Sequence, residues 1–256
     1  MKDCTERVLI GCYDTKHSML AGVVGLALGD HHSVILKQDG SVWSTVFNHH
    51  ERHSLNELIF APRISKDFTS VISRGAMAVA AGTEYTMVLK QDGSVWTVGY
   101  NRYGQLGIGS KKRTFVFVQV MTGVKAVAAG SYHSMIVTEE GRVWTAGWNK
   151  YGQLGDGMTG YRSRFCATMS SGAKAVAVAA GDPHSIVLKQ DGSLWAAGRN
   201  NNGQLGDGTK TDQNSFIEVM HGGIVDMAAG GYHSIVVCKA RWQHVGNWLE
   251  RIWPAR

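Results

Sequence analysis

The stretch "LKQDGSVW" at residues 36–43 returns letter for letter at 89–96, and "LKQDGSLW" stands at 188–195. "VTEEGRVW" at 137–144 is a weaker copy. Each copy sets a turn pair between two short runs rich in β-branched and aromatic residues. The pairs are Asp39-Gly40, Asp92-Gly93, Glu140-Gly141 and Asp191-Gly192. Asp-Gly in that setting predicts a β-hairpin with a tight type I′ turn, because glycine enters the positive-φ region without the clash a Cβ meets.

Moving outward, each octet lies a few residues after an anchoring glycine: Gly29, Gly82, Gly130, Gly181 and, in a fifth unit without the turn, Gly230. The anchors recur about every 50 residues, a period of propellers and repeat arrays. Upstream of the anchors runs "AVAAG" (78–82, 126–130, 177–181). Its side chains are small enough for a strand crowded against others round an axis. Downstream, "TFVFVQV" (114–120) reads as a further strand. Four strands per unit, and no stretch of helical length with an apolar stripe, predict an all-β propeller. It has about five four-stranded antiparallel blades in a single domain over 1–256.

Composition agrees. Of 256 residues, 44% are hydrophobic and 18% charged, with 32 Gly and 3 Pro, which suits strands joined by tight turns. The net charge of +6 favours acidic partners, nucleic acid among them. Cys4, Cys12, Cys166 and Cys238 form no C-x-x-C pair, so zinc-ribbon and dithiol redox readings are dropped, and the scatter fits a reducing compartment. The apolar run 19–29 is too short to span a bilayer and follows acidic residues, unlike a leader peptide.

The segments 78–109, 126–157 and 178–208 share the pattern "VAAGxxHSxxLKxDGxVWxxGxNxxGQLGDG". In this the chain resembles the regulator of chromosome condensation repeat family. The resemblance implies a β-propeller that binds partners. Members include a nucleotide exchange factor for a nuclear small GTPase, arrays attached to ubiquitin ligases, and bacterial inhibitors of β-lactamase. One plant member senses ultraviolet light through clustered Trp with Arg nearby, a signature that Trp148 alone does not restore.

The ends depart from the pattern. "NHHERHSLNELIF" (48–60) replaces the "GQLGDG" loop of the first unit, and residues 238–256 form a divergent tail. "VVGLALG" (23–29) aligns with the small-residue strand of the other units and reads as an inner strand. Two closures stay open: the two ends complete a fifth blade together, or the ring is incomplete, since the family usually closes with seven blades.

Several residues look chemical and have plainer readings. The pairs His32-Ser33, His133-Ser134, His184-Ser185 and His233-Ser234 suggest a nucleophile and its base. Neighbours on a strand point to opposite faces, and repetition in every unit points to hydrogen bonds between strands. "GQLGDG" lacks the following helix a phosphate loop needs and reads as turn geometry. His49, His50 and His53 lack a firm metal-ligand spacing. No catalytic residue, metal site or cofactor is therefore assigned. Trp43, Trp96, Trp144 and Trp195, with the turn glycines Gly40, Gly93, Gly141 and Gly192, are read as structural.

The loops "SKKRT" (110–114), "MTGYRSRF" (158–165) and "TKTDQN" (209–214) hold one place in successive units but differ in sequence. A ring projects them on one face. Lys111, Lys112, Arg113, Tyr161, Arg162, Arg164 and Lys210 are the candidate partner-binding residues there. The function expected is a non-enzymatic protein-interaction scaffold, cytoplasmic or nuclear, for a partner with an acidic surface. The alternative is a guanine nucleotide exchange factor for a small GTPase; nucleic acid or chromatin is a weaker partner reading, and no membrane is expected.

Overall fold

A computed structural model describes residues 21–45, 68–178 and 183–239. All regular structure in it is β. The first sheet holds β1 (Val23–Leu28), β2 (Ser33–Lys37), β3 (Val42–Ser44) and β4 (Thr69–Ile72). The second holds β5 (Ala76–Ala81), β6 (Tyr85–Lys90), β7 (Val95–Gly99) and β8 (Thr114–Met121). The third holds β9 (Val124–Ala129), β10 (His133–Thr138), β11 (Val143–Gly147) and β12 (Arg162–Met169). In the fourth are β13 (Ala173–Val178), β14 (His184–Lys189), β15 (Leu194–Gly198) and β16 (Gln213–Met220). A fifth sheet has two described strands, β17 (Ile224–Ala229) and β18 (Ser234–Cys238).

Every pairing is antiparallel between consecutive strands. First strands of successive sheets touch one another, β1 to β5, β5 to β9, β9 to β13 and β13 to β17, so they line the axis. That is a propeller with four complete blades and part of a fifth. Val23–Leu28 is the inner strand of the first blade, as its sequence suggested, and that blade needs nothing from the other end of the chain. Residues 1–20 and 240–256, on which the two closures of the ring depend, lie outside the described residues, as do Gly181 and the whole 48–60 segment.

The hairpins form where the Asp-Gly pairs stand, with a different turn from the one expected. Gly40 N–H donates to Lys37 O (2.9 Å) and Lys37 N–H to Ser41 O (3.0 Å). This is the three-residue loop in which a type I turn is followed by a left-handed residue, and Gly40, at φ 75°, is that residue. The Asp contributes through its side chain, Asp39 Oδ1 accepting from Ser41 N at 2.8 Å. The same construction recurs at Asp92 and Asp191.

The turn glycine also ties blade to blade. Gly40 O accepts from Ala76 N (3.0 Å), Gly93 O from Val124 N (3.1 Å), Gly141 O from Ala173 N (3.0 Å) and Gly192 O from Ile224 N (3.1 Å). A Cβ at Gly192 would press on Gly223 N at 3.0 Å, so sterics and φ together require glycine.

Between the sheets the strands alternate. Ala78 and Ala80 pack in the cluster shared with the third blade (Leu89, Val95, Val124, Ile136), while Val79 and Ala81 join the first blade's Val34, Leu36 and Val42. A blade therefore has a leading and a trailing apolar face, and each is buried by a neighbour.

One strand departs from the sequence alignment. Val178 pairs with Ser185, whereas Ala129, the residue before the anchoring glycine, pairs with Ser134 in the third blade. The strand "AKAVAV" thus runs two residues earlier than the "AVAAG" match placed it. Two registers of an Ala/Val run are nearly degenerate in sequence, because both put small side chains at the axis.

Candidate partner-binding face

The "HS" positions form hydrogen bonds from one blade to the next. His133 Nε2 meets Ser185 Oγ of the next blade at 2.9 Å, and His184 Nε2 meets Ser234 Oγ at 2.8 Å. His32 Nε2 meets Thr86 Oγ1 at 2.9 Å. Each Ser hydroxyl donates its proton elsewhere: Ser185 Oγ to Gln153 O (2.7 Å) and Ser234 Oγ to Gln204 O (3.0 Å). The imidazole Nε2 must then carry the hydrogen and donate to the hydroxyl, the reverse of what a general base does. Burial, with His184 beside it, lowers the His133 pKa to about 3, so the ring stays neutral. In the second blade Tyr85 replaces the His. Its hydroxyl donates to His133 O at 2.6 Å, and burial raises its pKa.

The "GQLG" loops are turns held by a buried Asn. Asn101 Nδ2 donates to Ser110 O (2.9 Å) and Lys112 O (3.0 Å), while its Oδ1 accepts from Leu106 N (3.0 Å). Asn149 and Asn200 repeat this. The loop glycines lie against the next blade's outer strand, Gly104 by Ser163 and Gly107 by the Phe165 ring, then Gly152 by Asn214 and Gly155 by Phe216. Backbone bridges Ile108–Arg164 and Asp156–Ser215 join loop to strand.

These contacts place the variable loops side by side on one rim. Lys111 Nζ sits 5.0 Å from the centroid of the Tyr161 ring, joining two candidate residues from adjacent blades. Arg113 lies 5.6 Å from the Tyr100 ring and 5.9 Å from Phe115, with its charge paired to Glu84 at 2.8 Å. Arg162 is bonded to Asp156 at 2.7 Å, which raises its pKa. Both guanidinium charges are thus internally balanced. Among the described residues Lys111, Lys112, Arg164 and Lys210 have no carboxylate at ion-pair distance. Arg164 lies along Gly109 on the outer strand, and Lys210 is exposed one loop further on.

Sequence reading missed the main feature of this rim, a connected group of aromatic rings. Tyr100 lies 6.4 Å from Tyr132; Tyr103 lies 5.0 Å from Tyr132, 5.8 Å from Trp148 and 5.6 Å from Tyr161; Trp148 lies 5.7 Å from Tyr151. Lys150 and Arg199 approach the outer end, 5.6 Å and 4.9 Å from Tyr151. Tyr161 is exposed and the other five are half-buried. Tyr100 and Trp148 hold one repeat position, Tyr103 and Tyr151 another, while the fourth blade has Arg199 and Asn202 there. Aligning the copies column by column carries that signal.

The hairpin Trp residues carry a device of their own. Trp43, Trp96 and Trp195 each donate Nε1–H to the Ser two residues earlier, at 2.9, 2.9 and 3.1 Å. Over each lies a Lys ammonium: Lys37 at 4.9 Å, Lys90 at 4.4 Å and Lys189 at 3.8 Å. Trp144 has Arg142 in place of that Ser, and its buried Nε1 has no partner. Among the described residues no three His, Cys, Asp or Glu side chains are grouped to hold a metal; His49, His50 and His53 lie outside them. No described helix is long and apolar enough to cross a membrane.

Comparison with known proteins gives the same frame. Over 223 residues the chain is 30% identical to the ultraviolet-B receptor UVR8 of Arabidopsis thaliana, matching 83% of this chain and 50% of the receptor. It is 32% identical over 82 residues to human protein RCC2, which is 31% of this chain and 15% of that protein. Human WBSCR16 superposes with a TM-score of 0.71 at 21% identity, over 85% of this chain and 60% of that one. Prp20p of Saccharomyces cerevisiae does so with 0.69 at 19%, over 84% and 55%. The chain thus spans about half the length of the relative it matches along most of its own length. The regulator of chromosome condensation (RCC1) repeat model matches residues 92–137, 140–188 and 191–237, a second model of that repeat matches 78–105, 124–153 and 175–204, and the chain therefore belongs to the RCC1 repeat family.

Proposed function

We propose that the chain is a non-enzymatic scaffold whose aromatic rim, edged by Lys111, Lys112, Lys150 and Arg199, binds an acidic surface of a protein partner. The observation that carries this is the six-ring strip from Tyr100 to Tyr151, built by two adjacent blades and left partly open to solvent. Tyr and Trp held rigidly offer large contact area with a polar tip at little entropic cost, and cations at the edge steer an anionic partner. Lys111, Lys112, Arg164 and Lys210 supply uncompensated charge, while Arg113 and Arg162 fix loop geometry through their own carboxylates. The crystallographic study of Prp20p concerns binding to Gsp1p and histones, which supports a protein partner here.

The test is affinity capture from source-cell extract with wild type, Lys111→Ala/Lys112→Ala and Tyr103→Ala/Trp148→Ala. Kinetics with the captured partner at two salt concentrations follow. The Lys pair change slows association and flattens its salt dependence; the aromatic change speeds dissociation. If both variants hold every partner with wild-type kinetics, the binding face lies elsewhere. The same proteins, incubated with GDP-loaded small GTPases, test the exchange-factor alternative, for which accelerated GDP release is required.

A further inference from the structure

We infer that the partner presents to the aromatic rim an extended, proline-rich segment in the polyproline II conformation, flanked by acidic residues. The inference rests on the reading of the rim as the binding face and adds the chemistry of what the rim holds.

The angles between the rings set the shape of the face. Tyr103 meets Tyr132 at 61° and Tyr161 at 82°, Tyr132 meets Trp148 at 82°, and Trp148 meets Tyr151 at 80°. Successive rings stand at steep angles, so the strip is a row of ridges and slots with no shared plane. A stacked run of nucleic-acid bases needs flat ring faces held open. Here the outer rings each have a cation of this chain over a face: Lys111 on Tyr161, Arg113 on Tyr100, and Lys150 and Arg199 on Tyr151. Slots between upright rings suit a compact, rigid apolar ridge, which is what successive proline rings form on one side of a polyproline II helix.

The polar tips point to the same ligand. The hydroxyls of Tyr100, Tyr103 and Tyr161 and the Trp148 indole N–H have no hydrogen-bond partner among the described residues, and all four reach solvent. Tyr132 differs, since its hydroxyl bonds to Thr83. The rim thus shows donors standing between apolar rings, and its ligand must bring acceptors that its own fold leaves free. A helix or a paired strand has already bonded its carbonyls. A polyproline II segment has no internal hydrogen bonds and turns its carbonyls outward, while proline brings no N–H in need of a partner. Such a segment is also stiff before it binds, so little ordering opposes the contact.

Charge sets the flanks. Arg102, between Tyr100 and Tyr103 in sequence, is exposed, and like Lys111 and Lys112 it has no carboxylate at ion-pair distance among the described residues. Glu84 and Asp156 are already bonded to Arg113 and Arg162. Asp or Glu beside the prolines answers the three open cations.

Selection from a displayed random-peptide library on the wild type, with counter-selection on Tyr103→Ala/Trp148→Ala, tests this without choosing a sequence beforehand. Enriched peptides carry prolines about every third residue, with Asp or Glu next to them. Calorimetry then uses the strongest of them as a synthetic peptide. Exchanging its prolines for alanine weakens binding at least about tenfold. Tyr103→Phe and Tyr161→Phe keep the rings, lose a donor and each weaken binding about fivefold, with unchanged urea midpoints as the control for folding. Peptides enriched without that proline spacing, no enrichment, an alanine peptide that binds equally well, or Phe variants with unchanged affinity each overturn the inference. A rim that holds labelled oligothymidylate and enriches no peptide is a nucleic-acid surface, and the inference falls. The two readings fail separately. If Tyr103→Ala/Trp148→Ala releases the partner captured from extract while enriched peptides lack proline, the rim binds by other chemistry and only this inference is lost. If that variant keeps the captured partner and the same peptides, both are lost.

Discussion

Ile186 and Ile235 occupy the same place in successive repeats, in "HSIVLK" and "HSIVVC", yet the first is 0% and the second 57% exposed. His184 and His233 differ likewise: one is sealed between blades on Ser234, the other lies open. The local sequence and the pairing with the inner strand are alike, but among the described residues β14 has a hairpin partner and a following blade beside it and β18 has neither. In this architecture burial is a property of a junction, so identical residues have unequal worth according to position in the array.

The sharpest way to break that comparison is to shorten both side chains. Ile186→Ala should cost about 3 kcal/mol, from lost transfer energy and a cavity in the fourth junction, whereas Ile235→Ala should cost under about 1 kcal/mol. Urea midpoints of the two variants measure the difference; equal shifts mean that the fifth blade is covered in solution.

A second test uses pH. His133 is held neutral with its pKa at about 3, while the unfolded chain's imidazole takes a proton below about 6.5. The unfolded state therefore binds more protons between those values. The stability this neutral burial secures is complete above pH 6.5 and is lost progressively as pH falls toward 3. From pH 7 to pH 5 one such group should remove about 2 kcal/mol. His32, also lowered by burial, adds to the loss. Urea midpoints at the two pH values should fall less in His133→Gln than in wild type; parallel falls would place the proton uptake elsewhere.

The smallest effect compares the third blade with its neighbours. Arg142→Ser gives Trp144 Nε1 the hydroxyl that Ser41, Ser94 and Ser193 give the other hairpin Trp residues. It should raise stability by about 1 kcal/mol. A midpoint that does not move means that water already satisfies the indole.

What could be read from the sequence follows the same division. The hairpins, the fourth strand at 114–121 and the inner strand at 23–28 were legible, because alternation and turn glycines act within a few residues. The three-residue turn was not: Asp-Gly serves both turn types, and only the Asp carboxylate on the Ser amide tells them apart. The start of β13 was hidden by a run of Ala and Val that fits two registers. On the candidate face, the sequence located the loops but not the charge balance, since Glu84 lies far in sequence from Arg113, as Tyr100 does from Tyr151. Such contacts are made by the stacking of blades and carry no local periodicity.

The second junction has a consequence for assembly of the chain. The octets at 36–43 and 89–96 are identical, so a folding chain holds interchangeable hairpins that can dock in the wrong order. Tyr85 breaks that equivalence. Its hydroxyl reaches His133 O, where His32 and His133 instead meet the Thr86 and Ser185 hydroxyls. One phenol thus makes the second junction chemically different from the imidazole junctions on either side of it.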